Sequence, residues 1–292
     1  MFGSHLSIAG GLHNALIEAR RLRMDCVQVF TKNQRQWHAP PLTQEQLNLW
    51  AEHRRKTKMG PVVSHDSYLI NLAGPSGDVR RKSIALFRDE LLRCEQLEIP
   101  LLVTHPGAHL NRGGERAGIK RVVSALDRLH RDLPGLAVVT CIEATAGQGT
   151  NLGYRFEHLR QIVDAVADPQ RLAVCVDTAH LLAAGYDLTS AAAATTVCQE
   201  LDDVVGLNLV KAMHMNDSKT PLGSRVDRHE HIGHGYVSVE AFRVLVNHPR
   251  LREVPKILET PKGEGPNGRD WDAVNLARLR RMVRRTGRKK RA

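Results

Sequence analysis

Short β-rich segments and amphipathic helical stretches alternate eight times along this chain. The predicted strands cover residues 2–4, 26–30, 61–64, 101–104, 137–142, 172–176, 209–213 and 256–258. The predicted helices cover residues 11–23, 44–58, 79–97, 116–131, 156–167, 189–206, 239–247 and 272–285. Because strands that alternate with helices pair in parallel, the pattern predicts an α/β fold. At 292 residues, closure into a (β/α)₈ TIM barrel is the most economical arrangement.

A doubly wound open sheet is the alternative fold for the same alternation. Such a sheet normally carries a glycine-rich phosphate loop after its first strand, and Gly10-Gly11 matches that loop poorly. We find no internal repeat and no Pro/Gly-rich linker that would divide the chain. The sequence therefore predicts one barrel domain over residues 1–285 and a basic C-terminal tail over residues 286–292.

The formal net charge of +11 is concentrated at the C-terminus. The last fifteen residues hold nine Arg or Lys and no acidic residue, which leaves about +2 for the other 277 residues. Such a tail attracts polyanions, including DNA, in a salt-dependent way. A solvated helix end without a specific role is the alternative interpretation.

The cysteines and the apolar segments indicate a cytoplasmic protein. Five cysteines, an odd number, stand far apart in mostly apolar segments, which predicts buried, reduced thiols. No CxxC pair is present, so a thiolate zinc site is not expected. No apolar run approaches the ~20 residues of a membrane-spanning helix, and the N-terminus lacks a signal-peptide pattern. We expect no membrane partner.

Nine His, Asp and Glu residues lie at or just beyond predicted strand ends: His65, His105, Glu143, Asp177, His180, His214, Asp227, His229 and Glu259. In a barrel, these strand ends meet at one face. Because buried imidazoles and carboxylates are costly without partners, packing alone does not account for so many of them. Five imidazoles and four carboxylates are too many for one metal and suit about three. Ligands of nitrogen and oxygen alone favour Zn or Mn.

The charge of such a centre suits the hydrolysis of a phosphodiester. Three Zn²⁺ ions and four carboxylates together leave about +2, which would hold an anionic phosphodiester. Zinc lowers the pKa of bound water to about 7, so no Ser, Cys or Lys nucleophile is required. A lone histidine after a strand is usually structural, and that interpretation stays open for His5, His109, His231 and His234.

Several stretches resemble the endonuclease IV family: residues 30–37 (FTKNQRQW), 65–72 (HDSYLINL), 105–110 (HPGAHL), 145–153 (TAGQGTNLG), 176–187 (VDTAHLLAAGYD), 214–219 (HMNDSK), 223–229 (GSRVDRH) and 258–261 (LETP). These are zinc-dependent apurinic/apyrimidinic endonucleases with a TIM-barrel fold. The resemblance runs from residue 3 to about 261. It implies a monomeric DNA-repair enzyme that cuts the phosphodiester 5′ to abasic sites, giving a 3′-hydroxyl and a 5′-deoxyribose phosphate. It leaves open 3′-end trimming as a further activity.

The same resemblance implies a trinuclear zinc site, with Mn possible at one or more positions. Glu143 would bridge two zincs; His65 and His105 would complete the first, Asp177, His214 and Glu259 the second, and His180, Asp227 and His229 would hold the third. A hydroxide between the first two metals would attack the phosphate. Glu143 and Glu259 are the residues to which we assign catalysis.

The resemblance also implies how the enzyme finds damage in double-stranded DNA. Arg35, in the loop after the second strand, would fill the gap in the base stack, with Gln36 beside it. Tyr68 and Leu69 would support the distorted DNA from the next loop. An abasic nucleotide has lost its stacking, so it is flipped out more easily than an intact one. Ordinary loop packing is the alternative for Tyr68 and Leu69. In a bacterium, we expect the protein on the nucleoid.

Two other functions are weighed against this one. A sugar isomerase or epimerase of the xylose-isomerase-like group shares the barrel and the strand-end ligands, but it needs neither the third metal set nor the QRQW loop. A nucleic-acid-binding protein with a decayed site would have lost a ligand, and none is missing. The chain departs from the family at His234, which stands between two glycines where many relatives carry an acidic residue. We expect altered DNA contact or loop conformation there.

Overall fold

The computed structural model describes residues 1–75 and 77–284, so the predicted tail over 286–292 lies outside the described residues. The strands are β1 (Phe2–Ser4), β2 (Val27–Val29), β3 (Val62–His65), β4 (Leu101–Thr104), β5 (Val139–Glu143), β6 (Leu172–Asp177), β7 (Val210–His214), β8 (Asp217–Ser218), β9 (His229–Glu230) and β10 (Lys256–Leu258). Eight of them form one sheet in the order β1-β10-β7-β6-β5-β4-β3-β2, and β8 and β9 form a separate antiparallel pair.

The two ends of this parallel sheet meet between β1 and β2. His5, just beyond β1, pairs with Gln28 in a parallel bridge, and the amide of Leu6 donates to the Gln28 carbonyl at 2.9 Å. At the other end of the seam, the Asp25 amide donates to the Phe2 carbonyl at 2.8 Å. These contacts close the sheet, which confirms the predicted single-domain (β/α)₈ TIM barrel and excludes the open doubly wound sheet.

Helices cover the outside of the barrel in the described part of the chain. They are α1 (His13–Arg21), α2 (Gln44–Thr57), α3 (Asp78–Gln96), α4 (Gly114–Asp132), α5 (Phe156–Ala165), α6 (Thr178–Ala184), α7 (Ala191–Val204), α8 (Val239–Asn247) and α9 (Trp271–Met282). All but α6 match the predicted stretches to within a few residues. Among the described residues, no helix has both the length and the apolar character to span a membrane.

Helix α6, which was not predicted from the sequence, follows β6 without an intervening loop residue. Asp177 ends the strand and also caps the helix, because its side chain accepts a hydrogen bond from the His180 amide at 2.9 Å. No turn residue marks this transition in the sequence, so the apolar stretch offers no boundary to detect. This direct transition places Asp177 and His180 on the same side of the barrel mouth.

The barrel interior is packed below the polar strand ends. A small apolar cluster fills it, made of Val63, Val103, Cys141, Ala173, Cys175 and Ala212. The larger core lies between the strands and the helices and includes Phe87, Phe156 and Phe242. All five cysteines are buried and unbridged, as predicted, and burial raises the pKa of the Cys141 thiol to about 12. The filled interior restricts polar chemistry to the mouth of the barrel.

Candidate metal centre

The structure brings all nine predicted ligands together at the C-terminal mouth of the barrel. His65, Glu143, Asp177 and His214 are the last residues of β3, β5, β6 and β7. His105 and Glu259 follow β4 and β10 by one residue, and His180 lies in the first turn of α6. Asp227 comes from the segment that joins β8 to β9, and His229 is the first residue of β9. Nitrogen–oxygen contacts of 3.8 Å or less connect the nine side chains in one cluster.

Glu143 is at the centre of the cluster and is fully buried. Its Oε2 atom lies 3.1 Å from Nε2 of both His65 and His105. Its Oε1 atom lies 3.0 Å from Nδ1 of His214 and 3.1 Å from Nδ1 of His180. Burial alone would raise the pKa of this carboxyl, but His214 and His105 hold it well below its usual range. A carboxylate with a different set of imidazoles at each oxygen has the arrangement of a bridge between two cations.

Among the described residues, four groups of side chains offer ligand atoms that all lie within 4.8 Å of one another, and three of these groups contain no cysteine. One group is His65, His105 and Glu143; another is Glu143, Asp177, His214 and Glu259; the third is Asp177, His180 and His229. The first two are the predicted sets. In the third, Asp177 stands where Asp227 was expected, although Asp227 Oδ2 is only 3.1 Å from Nε2 of His180 and Oδ1 is 3.3 Å from Nε2 of His229. Asp177 therefore lies within reach of two sets.

Cys175 also lies close to Glu143 and His214. Its side chain belongs to the apolar interior of the barrel, and burial raises the pKa of the thiol above its ordinary value. Because only the thiolate is a good metal ligand, this environment disfavours ligation by Cys175. The nine-residue ligand set without cysteine is the one that the surroundings favour.

Backbone carbonyl groups hold two of the imidazole rings in fixed orientations. Nδ1 of His65 donates to the Asp66 carbonyl at 3.0 Å, and Nδ1 of His229 donates to the Glu259 carbonyl at 3.2 Å. These bonds leave Nε2 of each ring facing the carboxylates. Hydrogen bonding of the outward nitrogen to a carbonyl is the usual way in which proteins fix the tautomer of a metal-binding histidine.

Two ring nitrogens provide a direct test of whether metal ions fit here. Nε2 of His180 and Nε2 of His229 are buried and have no well-directed hydrogen bond. Both face Asp227 at about hydrogen-bond distance without suitable geometry. Buried polar atoms normally have partners, and unpaired ones often mark an ion site. The donor set therefore fits metal cations.

The cluster also stabilises charge on its histidines. Burial lowers the pKa of His65, but its hydrogen bond to Glu143 and the Glu143 charge outweigh that effect and raise the pKa to about 10. For His180, the charge of Asp177 and the contacts with Asp227 and Glu143 likewise outweigh burial, and its pKa lies well above the ordinary one. A carboxylate-rich cluster that attracts protons this strongly attracts metal cations to the same lone pairs.

Sequence reasoning missed two residues that hold the ligands in place. Gln28 donates to Glu259 Oε1 at 2.6 Å, and its side-chain oxygen accepts from Nε2 of His214 at 2.8 Å. Asn216 donates to Asp177 Oδ2 at 2.7 Å, and its own oxygen accepts from the Glu259 amide at 2.7 Å. A glutamine between two valines of an otherwise apolar strand is the sequence signal that would have indicated the first residue.

His5, for which a structural role was open, lies beside the cluster. Its Nδ1 accepts from Gln28 at 2.9 Å and is 3.5 Å from Glu259 Oε1. Burial lowers the pKa of His5 despite that carboxylate. His231 stacks on Trp271 with ring centroids 3.6 Å apart, which is a structural role. His234 is exposed, and the turn that carries it is fixed by Asp217, which accepts from the backbone amides of Gly233, His234 and Gly235.

The four residues predicted to contact DNA lie on two loops at the same mouth. Arg35 and Gln36 are exposed in the loop after β2. Tyr68 is 71% exposed, with its ring 6.3 Å from that of His65. A cavity of about 210 Å³ beside it is lined by residues that include His65, Tyr68 and His105. Leu69 is only half-exposed and packs against the core, as the loop-packing alternative expects.

Comparisons with known proteins extend along the whole chain. Residues 16–282 match the family model described as xylose isomerase-like TIM barrel. A protein of Chloroflexus aurantiacus named probable endonuclease 4 is 50% identical over 282 residues, which are 97% of this chain and 98% of that protein. The crystal structure of endonuclease IV from Thermus thermophilus superposes with a TM-score of 0.83 at 35% identity, covering 96% of this chain and 98% of that one. A D-tagatose 3-epimerase-like protein superposes with a TM-score of 0.69 at 19% identity, covering 96% and 95%, which shows a shared fold alone.

Proposed function

This chain belongs to the endonuclease IV family of the xylose isomerase-like TIM barrels, and we propose that it is a metal-dependent AP endonuclease of DNA repair. It hydrolyses the phosphodiester 5′ to an abasic site in duplex DNA and leaves a 3′-hydroxyl and a 5′-deoxyribose phosphate. The observation that carries the proposal is the position of Glu143, whose two oxygens face separate sets of imidazoles. Trimming of damaged 3′ ends is a second reaction that the same site would support.

The nine clustered residues would hold about three zinc ions, with Mn possible at one or more positions. His65, His105 and Glu143 would form one set, and Glu143, Asp177, His214 and Glu259 another. His180, Asp227 and His229 would hold the third, with Asp177 near enough to take part. When bound, zinc would supply Lewis-acid stabilisation of the phosphate and a low pKa for its water.

The protein contributes fixed orientation and charge. Glu143 and Glu259 supply carboxylates within the cluster, and we assign catalysis to them. Gln28 and Asn216 hold ligands from different strands in one arrangement. Because these partners are set by the barrel and not by the substrate, the site is ordered before DNA binds. Such preorganisation is a large part of catalysis by electrostatic stabilisation.

Recognition of the damage belongs to the exposed loops around the mouth. Arg35 and Gln36 would enter the minor groove from the loop after β2, and Tyr68 and Leu69 would support the distorted strand. The high exposure of Tyr68 beside His65 supports this role, since a large exposed aromatic side chain next to a site is available for stacking. Double-stranded DNA with abasic sites is therefore the proposed partner of a monomeric enzyme in the cytoplasm, on the nucleoid if the source is a bacterium.

A sugar isomerase or epimerase is the other enzyme class with this barrel. The third ligand set and the exposed loop after β2 favour the nuclease, because a small sugar requires neither of them. Incision of a duplex oligonucleotide with one abasic-site analogue, beside an intact duplex, tests the proposal. We expect a cut 5′ to the lesion whose 3′ end a DNA polymerase extends. A folded, metal-loaded enzyme that leaves this duplex intact and converts a ketose would overturn it.

A further inference from the structure

The loop after β2 that carries Arg35 and Gln36, here named the recognition loop (residues 31–40), is held by helix α3. Arg93 of α3 is buried, and its guanidinium reaches both ends of the loop. Nη2 and Nε donate to the Thr31 carbonyl at 2.9 and 3.3 Å, and Nη1 donates to the Pro40 carbonyl at 2.9 Å. One side chain therefore fixes the distance between the two ends of the recognition loop.

An ion pair in the same place has almost no contact with water. Lys32 of the recognition loop contacts Glu90 of α3, and each side chain is 2% exposed. The other Glu90 oxygen accepts from Thr31 Oγ1 at 2.6 Å. A buried ion pair adds little net stability compared with apolar residues of the same size, because desolvation offsets the attraction. The pair is better explained by its effect on the loop, since it favours one loop conformation over others.

A third contact joins the recognition loop to its neighbour. Ser67 Oγ, in the loop after β3, donates to the Gln34 carbonyl at 2.6 Å. The next residue is Tyr68, so this bond couples the two loops that carry the predicted DNA-binding side chains. Arg35 and Gln36 themselves are exposed at the tip of the loop. Their backbone amides donate hydrogen bonds to Asn33, which belongs to the same loop. The base of the loop is fixed and its tip faces outward.

We propose that Arg93 and Glu90 are positioning residues that hold the recognition loop in its DNA-binding conformation before DNA arrives. This inference rests on the proposed function. A loop that is already ordered does not lose its conformational freedom on binding, so the affinity for damaged DNA is higher. Neither residue touches the metal cluster, so their loss should weaken binding and leave the chemistry on bound DNA intact.

Arg93→Met tests this inference, and Arg171→Met is its matched control. Arg171 also bridges two carbonyls, those of His130 and Leu133 at 3.1 and 3.0 Å, but it precedes β6 at the opposite end of the barrel. We expect Arg93→Met to raise KM for the abasic duplex about tenfold with kcat and metal content unchanged. Hydrogen–deuterium exchange should accelerate across residues 31–40. Arg171→Met should change neither the KM for the abasic duplex nor the exchange of residues 31–40.

Two further variants keep the test decisive if Arg93→Met folds poorly. Arg93→Lys keeps the charge but cannot reach both carbonyls in the same way, so its KM should lie between those of the wild type and Arg93→Met. The double variant Lys32→Met with Glu90→Leu replaces the buried pair with apolar groups, so it should fold. Its recognition loop should exchange faster, and its KM should rise.

The outcomes separate this inference from the proposed function. If the wild type cuts abasic DNA and the folded α3 variants keep its KM and its loop exchange, the positioning role is wrong. If the wild type does not cut abasic DNA, the proposed function fails, and the exchange of residues 31–40 still decides whether α3 orders the loop. Accelerated exchange with unchanged KM would also overturn the inference, because loop order would then not matter for binding.

Discussion

The side-chain oxygen of Gln28 accepts a hydrogen bond from Nε2 of His214 at 2.8 Å, which leaves Nδ1 of that ring facing the carboxylates of the cluster. The amide group of Gln28 also donates to Glu259 Oε1 at 2.6 Å. A residue of β2 therefore orients predicted ligands from β7 and β10, across the seam where the barrel closes. The barrel seam and the second set of predicted ligands are therefore linked directly through the side chain of Gln28.

Replacing Gln28 with Leu should weaken metal binding without removing a ligand. Loss of a partner that orients a metal-binding histidine commonly lowers metal affinity about 10–100-fold. Competition between the protein and a chelating dye for zinc would measure the change. Gln44→Leu, on the exposed face of α2, is the control and should bind zinc as the wild type does. Equal affinities in the two variants would refute the orienting role of Gln28.

Replacing Glu143 with Gln should leave the barrel folded and abolish cleavage. The two side chains are almost the same size, but the amide lacks the charge that faces both imidazole sets. We expect incision of abasic DNA to fall at least roughly 10²–10³-fold, with an unchanged circular dichroism spectrum. Glu230→Gln, at a half-buried position on β9, serves as the control. Full activity of Glu143→Gln would contradict the proposed mechanism.

Removing bound metal should lower the melting temperature. The ligands come from separate strands and loops, so a site of this kind exists only in the folded chain, and metal binding stabilises that state. At free zinc about 100 times its Kd, the stabilisation is about 2.7 kcal/mol. Thermal unfolding with a chelator, and again after zinc is restored, would measure it. A melting temperature that does not respond to either treatment would mean that the cluster binds no metal.

Lys256 at the start of β10 makes the stability of the fold depend on pH. Its side chain is fully buried, and Nζ donates to the carbonyls of Leu251 and Val254 at 2.6 and 3.0 Å. Burial lowers its pKa from the ordinary 10.5 to about 8. The folded chain therefore binds this proton less tightly than the unfolded chain. The resulting decrease in the free energy of unfolding is fully present below pH 8.

The free energy of unfolding should consequently rise as the pH increases from 8 toward 10.5, by up to about 3 kcal/mol from this lysine. Lys256→Met lacks the titrating group and should not show this increase. Urea unfolding of both proteins at several pH values isolates the difference between them. A difference that is constant from pH 7 to pH 10 would show that Lys256 titrates normally.

The sequence predicted that the nine polar side chains lie together, because the barrel converts order along the chain into proximity. Once strands alternate with helices and close into a barrel, every strand ends at the same mouth, so His65 and His214 must be neighbours although they are far apart in sequence. Asp177 was predicted as a ligand, but its role as the cap of α6 was not predicted, because that cap replaces a loop.

The residues that support the cluster were harder to predict from the sequence. Gln28, Asn216 and Arg93 act through hydrogen bonds to partners 30 or more residues away, and such pairings depend on side-chain geometry in the folded chain. The pattern of apolar and polar residues along the chain indicates which side chains are buried, but it does not indicate their hydrogen-bond partners. For that reason, the DNA roles of Arg35, Gln36, Tyr68 and Leu69, and the role of the tail, stay predictions.

Metal-dependent incision of a single-lesion duplex is the most direct test of the account. The enzyme would be stripped of metal and reloaded stepwise with Zn²⁺ or Mn²⁺, and cutting 5′ to an abasic analogue would be followed together with the bound metal per chain. We predict no incision by the stripped enzyme, and activity that saturates near three metals per chain with an extendable 3′-hydroxyl product. Incision by the fully stripped enzyme, or none by the reloaded one, would contradict the account.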